Sequence, residues 1–282
     1  MGGRFRNSLD LAKSSWSLLR SDKQLIWLPV ISTIATLVAI ATFALPVIAL
    51  SNMSGGSFQP LAIAVGVLGY FVLAYITIFF NAALVFAADE LMRGGKPTIG
   101  TAIAGARSRA HRILPWAIVS AIVSVILRMI EERGGIIGRI GGMIAGIAWS
   151  LVTFLVLPIL VLEGIGVRDA LKRSAKLFKG TWGEQVIANA GIFIVGFVAL
   201  IPALLVGFLG VASGTLFVAV PLVGIAVIYG AVVLAVTAAL TGVFQTALYH
   251  YAANGMPPAA FAESELRGAF KPRQQQGFRG FV

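Results

Sequence analysis

Long apolar runs alternate along this chain with short polar segments rich in Lys and Arg. Six runs meet or approach the roughly 20 apolar residues that a helix needs to cross about 30 Å of hydrocarbon: 25–50, 60–88, 113–130, 136–162, 185–210 and 222–253. The pattern predicts an all-α integral membrane protein, with six transmembrane helices in residues 1–253 and a partly disordered cytoplasmic tail over 254–282. The run from Leu25 to Leu50 is too long for the apolar region of a cleaved signal and predicts a retained anchor. The run 113–130 is the shortest, with Arg128 near its end and Arg139 early in the next run. Both cations are placed to snorkel to the headgroups. A re-entrant pair is the alternative to two full crossings here.

The cations decide the orientation. Segments 1–24, 89–112 and 163–184 hold five Lys or Arg each and 254–282 holds four, whereas 51–59 and 211–221 hold none and 128–139 holds three. Nineteen therefore fall on one side and three on the other. Cytoplasmic loops keep positive residues, so both termini are expected inside. The opposite segments are turns, Asn52–Ser57 and Gly134-Gly135, which leave no room for an external domain.

Three basic amphipathic helices precede the three transmembrane hairpins. Phe5, Leu9, Ala12, Trp16 and Leu19 form one stripe of a 3.6-residue helix, with Arg6, Lys13 and Arg20 elsewhere around it. The same spacing gives Ile99, Ile103, Ala106, Ala110 and Ile113 with Arg107, Arg109 and Arg112 interleaved, and Thr98 stands where a capping residue would start that helix. It recurs, less regularly, at Val167, Leu171, Ser174, Phe178 and Thr181 with Lys172, Arg173, Lys176 and Lys179. Such helices lie in the headgroup plane, each cation contributing about 1 kcal/mol against an anionic leaflet. These ten cations are the candidate contacts for anionic lipid or a cytoplasmic partner.

Composition narrows the function classes. Charged residues make up 12% of the chain, half the level of about a quarter in soluble proteins, which excludes a soluble globule. The net charge of +11 resembles a nucleic-acid signature, but its restriction to one set of loops points to lipid instead, and no nucleic-acid partner is expected. The absence of cysteine removes disulfides, thiolate metal sites and cysteine nucleophiles. No Asp, Glu, Lys or His falls at the centre of an apolar run, which takes away the usual tools of ion-coupled transport.

Few residues remain as candidates for chemistry. Asp89, Glu90 and Glu163 lie at run ends, as partners for Arg93 or Arg168. Asn81, Asn189 and Gln245 are placed for interhelical hydrogen bonds or a small polar cavity. Gly138, Gly142 and Gly146 form a small-residue face for close helix packing. His111 and His250 have no local second ligand, and Walker, GxSxG and HExxH patterns are missing, so no metal, cofactor or catalytic residue is expected.

The chain therefore reads as a non-enzymatic membrane component that organises lipid or partner proteins through a cytoplasmic basic collar. A second copy or another membrane protein is an open partner. A permease or channel for an uncharged or amphipathic solute is the alternative, and it requires a polar cavity containing Asn81, Asn189 or Gln245. A lipid-directed enzyme would require Asp89 and Glu163 to converge on one pocket.

Three stretches carry a resemblance: Arg4-Phe5 through Ser14-Ser15-Trp16 and Asp22-Lys23 to Leu28-Pro29, then Thr181-Trp182-Gly183-Glu184, then Ala247-Leu248-Tyr249-His250-Tyr251-Ala252 with Leu266-Arg267-Gly268-Ala269-Phe270. They resemble an uncharacterised bacterial membrane family, the domain of unknown function DUF6159, over nearly the whole chain. The resemblance implies a multi-span protein of the bacterial cytoplasmic (inner) membrane. It brings no catalytic residue to carry over.

Overall fold

The computed structural model describes residues 24–52, 58–181 and 190–254, whose regular structure is entirely helical. In chain order the helices are α1 (Gln24–Asn52), α2 (Gln59–Met92), α3 (Ile99–Ser108), α4 (Ala110–Arg133), α5 (Gly135–Thr153) and the single turn α6 (Val156–Pro158), which runs into a π turn at Ile159–Glu163. Then follow α7 (Val167–Thr181), α8 (Ala190–Ala212) and α9 (Leu216–Asn254). The stripe at Phe5–Leu19, the turn after Asn52, residues 182–189 and the tail fall outside the described residues.

Five helical segments are long and apolar enough to cross a membrane: Ile26–Asn52, Gln59–Met92, Ala110–Arg133, Ile137–Glu163 and Leu216–Ala253. The remaining expected crossing, 185–210, overlaps α8, whose described apolar stretch Gly196–Ala212 is shorter. The fourth run, expected as one helix over 136–162, is interrupted. Leu155 leaves helical geometry at φ −97°, ψ 0°, and the chain resumes as one α turn and one π turn. Pro158 lies four residues beyond Phe154 and has no N–H to offer that carbonyl, so the ladder fails there.

Local chemistry sets several boundaries. Thr98 caps α3 by accepting from the Thr101 N–H at 3.0 Å, while Thr101 Oγ1 accepts from the Thr98 N–H at 2.9 Å. This is the reciprocal box expected of a strong helix start. Gly164 ends the π turn at φ +65°, a left-handed conformation that a Cβ disfavours.

The helices pair as α1 with α2, α4 with α5 and α8 with α9, and α2 additionally touches α3, α4 and α9. Helices α2 and α9 run parallel, with Leu84 against Gly242 and, further along both, Asp89 against His250. A Cβ on Gly242 would collide with Leu84 Cδ2, and one on Gly105 would come 2.7 Å from Phe86 Cγ, so these glycines let helices approach closely. Gly138 and Gly142 of the small-residue face lie against the end of α4, at Ile130 and Glu131, while Gly146 faces open space.

Burial is concentrated at one end of the bundle. Leu28, Leu84, Ile113, Leu155, Ile159, Leu160 and Leu248 are fully covered there. Toward the other end Leu37, Leu45, Leu68, Ile126, Ile144, Leu209 and Val227 are exposed on their respective helices. A soluble protein rarely tolerates apolar surface on this scale, whereas hydrocarbon solvates it.

Candidate functional site

The buried end is where most of the described charged side chains assemble. Helix α7 carries the pattern VRDALKRSAKLFKGT, and its two faces are cleanly divided. Ala170 and Ser174 are fully buried and Leu171 and Leu177 pack on the core, while Arg168, Lys172, Arg173 and Lys176 are exposed. Ser174 is a polar residue on the covered face, and its Oγ donates to the Val152 carbonyl at 2.6 Å. Val152 lies in the last turn of α5, where carbonyls have no intrahelical donor, so the hydroxyl supplies one. Helix α3 is divided likewise, with Ala102 and Ala106 buried and Arg107 exposed.

Beside these cations, two carboxylates are held by consecutive residues of α9. Asp89 Oδ1 lies 2.6 Å from His250 Nε2, and the same carboxylate takes Arg93 Nε at 3.1 Å. Glu163 Oε1 accepts from Tyr249 Oη at 3.2 Å and from Arg173 Nε at 3.0 Å. The Tyr249 and His250 rings meet edge to face at 5.5 Å. Glu90, next to Asp89, accepts from Thr101 Oγ1 at 3.3 Å, which ties α2 to the cap of α3. The end of α2 and, far from it in sequence, the π turn with the following α7 thus converge on the last turns of α9.

This arrangement refines the expected ion pairs. Arg93 does pair with Asp89, but Glu163 pairs with Arg173, because Arg168 sits exposed in the first turn of α7 and Arg173 reaches back across it. The roles of Tyr249 and His250 carry no local signal in the sequence, since their partners lie 86 and 161 residues away. Asp89 and Glu163 come to adjacent points on α9, each occupied by its own cation and its own α9 donor.

The remaining candidates are scattered. Arg109 and Arg112 are half-buried beside Gly164. Arg6, Lys13, Arg20, Asn189 and the side chain of Lys179 lie outside the described residues. Asn81 is exposed and Gln245 is half-buried. Neither lines the groove between α2 and α4, whose wall is Ile63, Gly66, Val67, Tyr70, Phe71, Ile122, Val125 and Ile126. His111 is exposed, and Trp116 stacks on Trp149 at 6.0 Å with an interplanar angle of 29°. Among the described residues no group of three or more His, Cys, Asp or Glu is placed to hold a metal.

The sequence profile of a family of unknown function (DUF6159) matches residues 61–259, a stretch that includes α3 to α9 entire and nearly all of α2. Comparison with curated proteins and with solved structures gives no match.

Proposed function

The chain belongs to the family of unknown function DUF6159, and because that membership brings no activity, we propose from its own residues that it is a multi-pass component of the bacterial cytoplasmic membrane that gathers anionic lipid at a basic inner rim. In this reading six helices cross with both termini inside, α3 and α7 lie along the inner headgroup layer, and the protein organises lipid without transforming it.

The observation that carries the proposal is the division of α7. A helix whose covered face is locked to the core by Ala170 and Ser174 cannot rotate, so Lys172 and Lys176 are held facing outward. Each cation near an anionic leaflet is worth about 1 kcal/mol, and Arg107 on α3 adds another from the same end of the bundle.

The test is lipid enrichment in nanodiscs assembled from a mixture of anionic and zwitterionic lipid. Changing Arg107, Lys172 and Lys176 to Gln leaves the Glu163 and Asp89 pairs intact and removes three exposed charges. The expected result is a large fall in anionic lipid retained around the protein. Enrichment equal to that of the wild type overturns the reading.

A further inference from the structure

Arg109 and Arg112 differ from every other cation in the described structure. Arg109 Nε and Arg112 Nη1 are buried and donate to no acceptor among the described residues. No described carboxylate pairs with either, and the nearest in sequence to their glycine neighbour, Glu163, is already taken by Arg173 and Tyr249. A Cβ at Gly164 would stand 2.7 Å from Arg112 Nη1 and 3.1 Å from both Cζ and Nη1 of Arg109. The two guanidinium groups therefore crowd against one glycine and against each other.

This arrangement is unfavourable without an acceptor. Like charges repel more strongly where water is excluded, and buried donors without acceptors carry a desolvation cost. Arg109 links the end of α3 to the start of α4, so the two helix ends meet there and their dipoles oppose each other; the positive character of the place comes from the two guanidinium groups. The group that would satisfy their buried N–H donors is a compact anion. A phosphate group fits best, since its oxygens match the guanidinium fork. Both side chains are only half-buried, so part of each is open at the surface.

We propose that Arg109, Arg112 and Gly164 form a phosphate-binding site. It rests on the lipid-gathering reading only for one source of the phosphate, a phospholipid headgroup with a terminal phosphate. The other source is free phosphate. Glycine at 164 is part of the site twice over, through its φ of +65° and through the space that any side chain would take from the arginines.

The experiment measures lipid retained by the purified full chain, by native mass spectrometry, after reconstitution with phosphatidic acid in a phosphatidylcholine background. A parallel arm titrates inorganic phosphate into the detergent-solubilised protein and reads its thermal midpoint. Four variants are compared: R109Q/R112Q, R109K/R112K, G164A and R133Q/R139Q, a pair of exposed cations at the opposite end of α4. The wild type is expected to keep one tightly held phosphatidic acid, weakened on the order of tenfold or more in R109Q/R112Q and G164A, and little changed in R133Q/R139Q. The lysine variant keeps the charge but loses the fork, so weakening there with a helical spectrum intact separates binding from folding.

Retention in the lysine and glycine variants equal to that of the wild type overturns the site. Equal losses in R133Q/R139Q and in the arginine variants also overturn it, leaving only unspecific attraction to the chain's positive charge. Stabilisation by inorganic phosphate that requires Arg109 and Arg112, with no lipid retained, upholds the site and sinks its lipid source. Absence of both effects in the wild type overturns the site while the enrichment assay on the exposed cations still stands or falls by itself.

Discussion

His250 closes on Asp89 at 2.6 Å and so joins the end of α9 to the end of α2 across 161 residues of chain. Asp89 is nearly buried, and its second partner, Arg93, has a side chain that is 67% exposed. The two partners should therefore differ in worth. His250→Ala leaves a covered carboxylate short of a partner and is expected to cost about 1–3 kcal/mol. Arg93→Ala removes an exposed pair four residues away on the same helix and should cost about 0.3–0.5 kcal/mol. Thermal unfolding of both variants in one detergent decides between them, and equal midpoints would show that the contact does not clasp the helices.

The contact of Gly242 with Leu84 makes a second, steric prediction. Any side chain at residue 242 collides with Leu84 Cδ2, so Gly242→Ala is expected to destabilise by about 1–3 kcal/mol through overpacking. Leu84→Ala opens the space, and the double variant should lose less than the sum of the two single ones. Strict additivity in unfolding experiments would mean that α2 and α9 are not pressed together at this point.

Ser174 gives a third. Its hydroxyl is fully buried and serves the Val152 carbonyl, so Ser174→Ala should cost about 1 kcal/mol. Lys172→Gln, on the opposite and exposed face of the same helix, should stay within about 0.5 kcal/mol. A chemical denaturation series on the two variants measures the contrast. If the exposed change is the more damaging, α7 does not lie on the core with this face.

Orientation is open to direct labelling because the chain has no cysteine. A thiol placed at Lys176 is expected to react with an impermeant maleimide only from the cytosolic side, and one at Ser213, in the exposed turn between α8 and α9, only from outside. Reaction of both from the same side would invert the charge argument and remove the basic rim from the inner leaflet.

Much of this architecture is legible in the residues. Apolar run length places the long helices, Thr98 marks the start of α3, and the spacing of Val167, Leu171 and Ser174 identifies the covered side of α7. The losses have physical causes. Periodicity names Arg109 and Arg112 among the cations interleaved with the apolar stripe, but it treats every such cation as facing outward and does not reveal that these two turn toward Gly164 where the chain breaks between α3 and α4. The interruption at Phe154–Leu155 sits in a run without a charged residue after Arg139, with Pro158 as the local clue. Asn81 was a reasonable candidate for a cavity, yet a polar residue in an apolar run does not announce which way it faces, and it is exposed. The meeting of Asp89 with His250 is a long-range event that short-range pattern does not encode.

The one-sided core has a mechanical consequence. With side chains interlocked near Leu160 and Leu248 and apolar ones exposed near Leu45 and Leu209, the far portions of the helices pack mainly within their hairpins, and the hairpins are held beside one another there by whatever fluid surrounds them. Altering bilayer thickness or tail saturation should thus spread or draw together the tips of the helices while the knotted base keeps its shape, so that the membrane's own elasticity becomes part of the protein's tertiary structure.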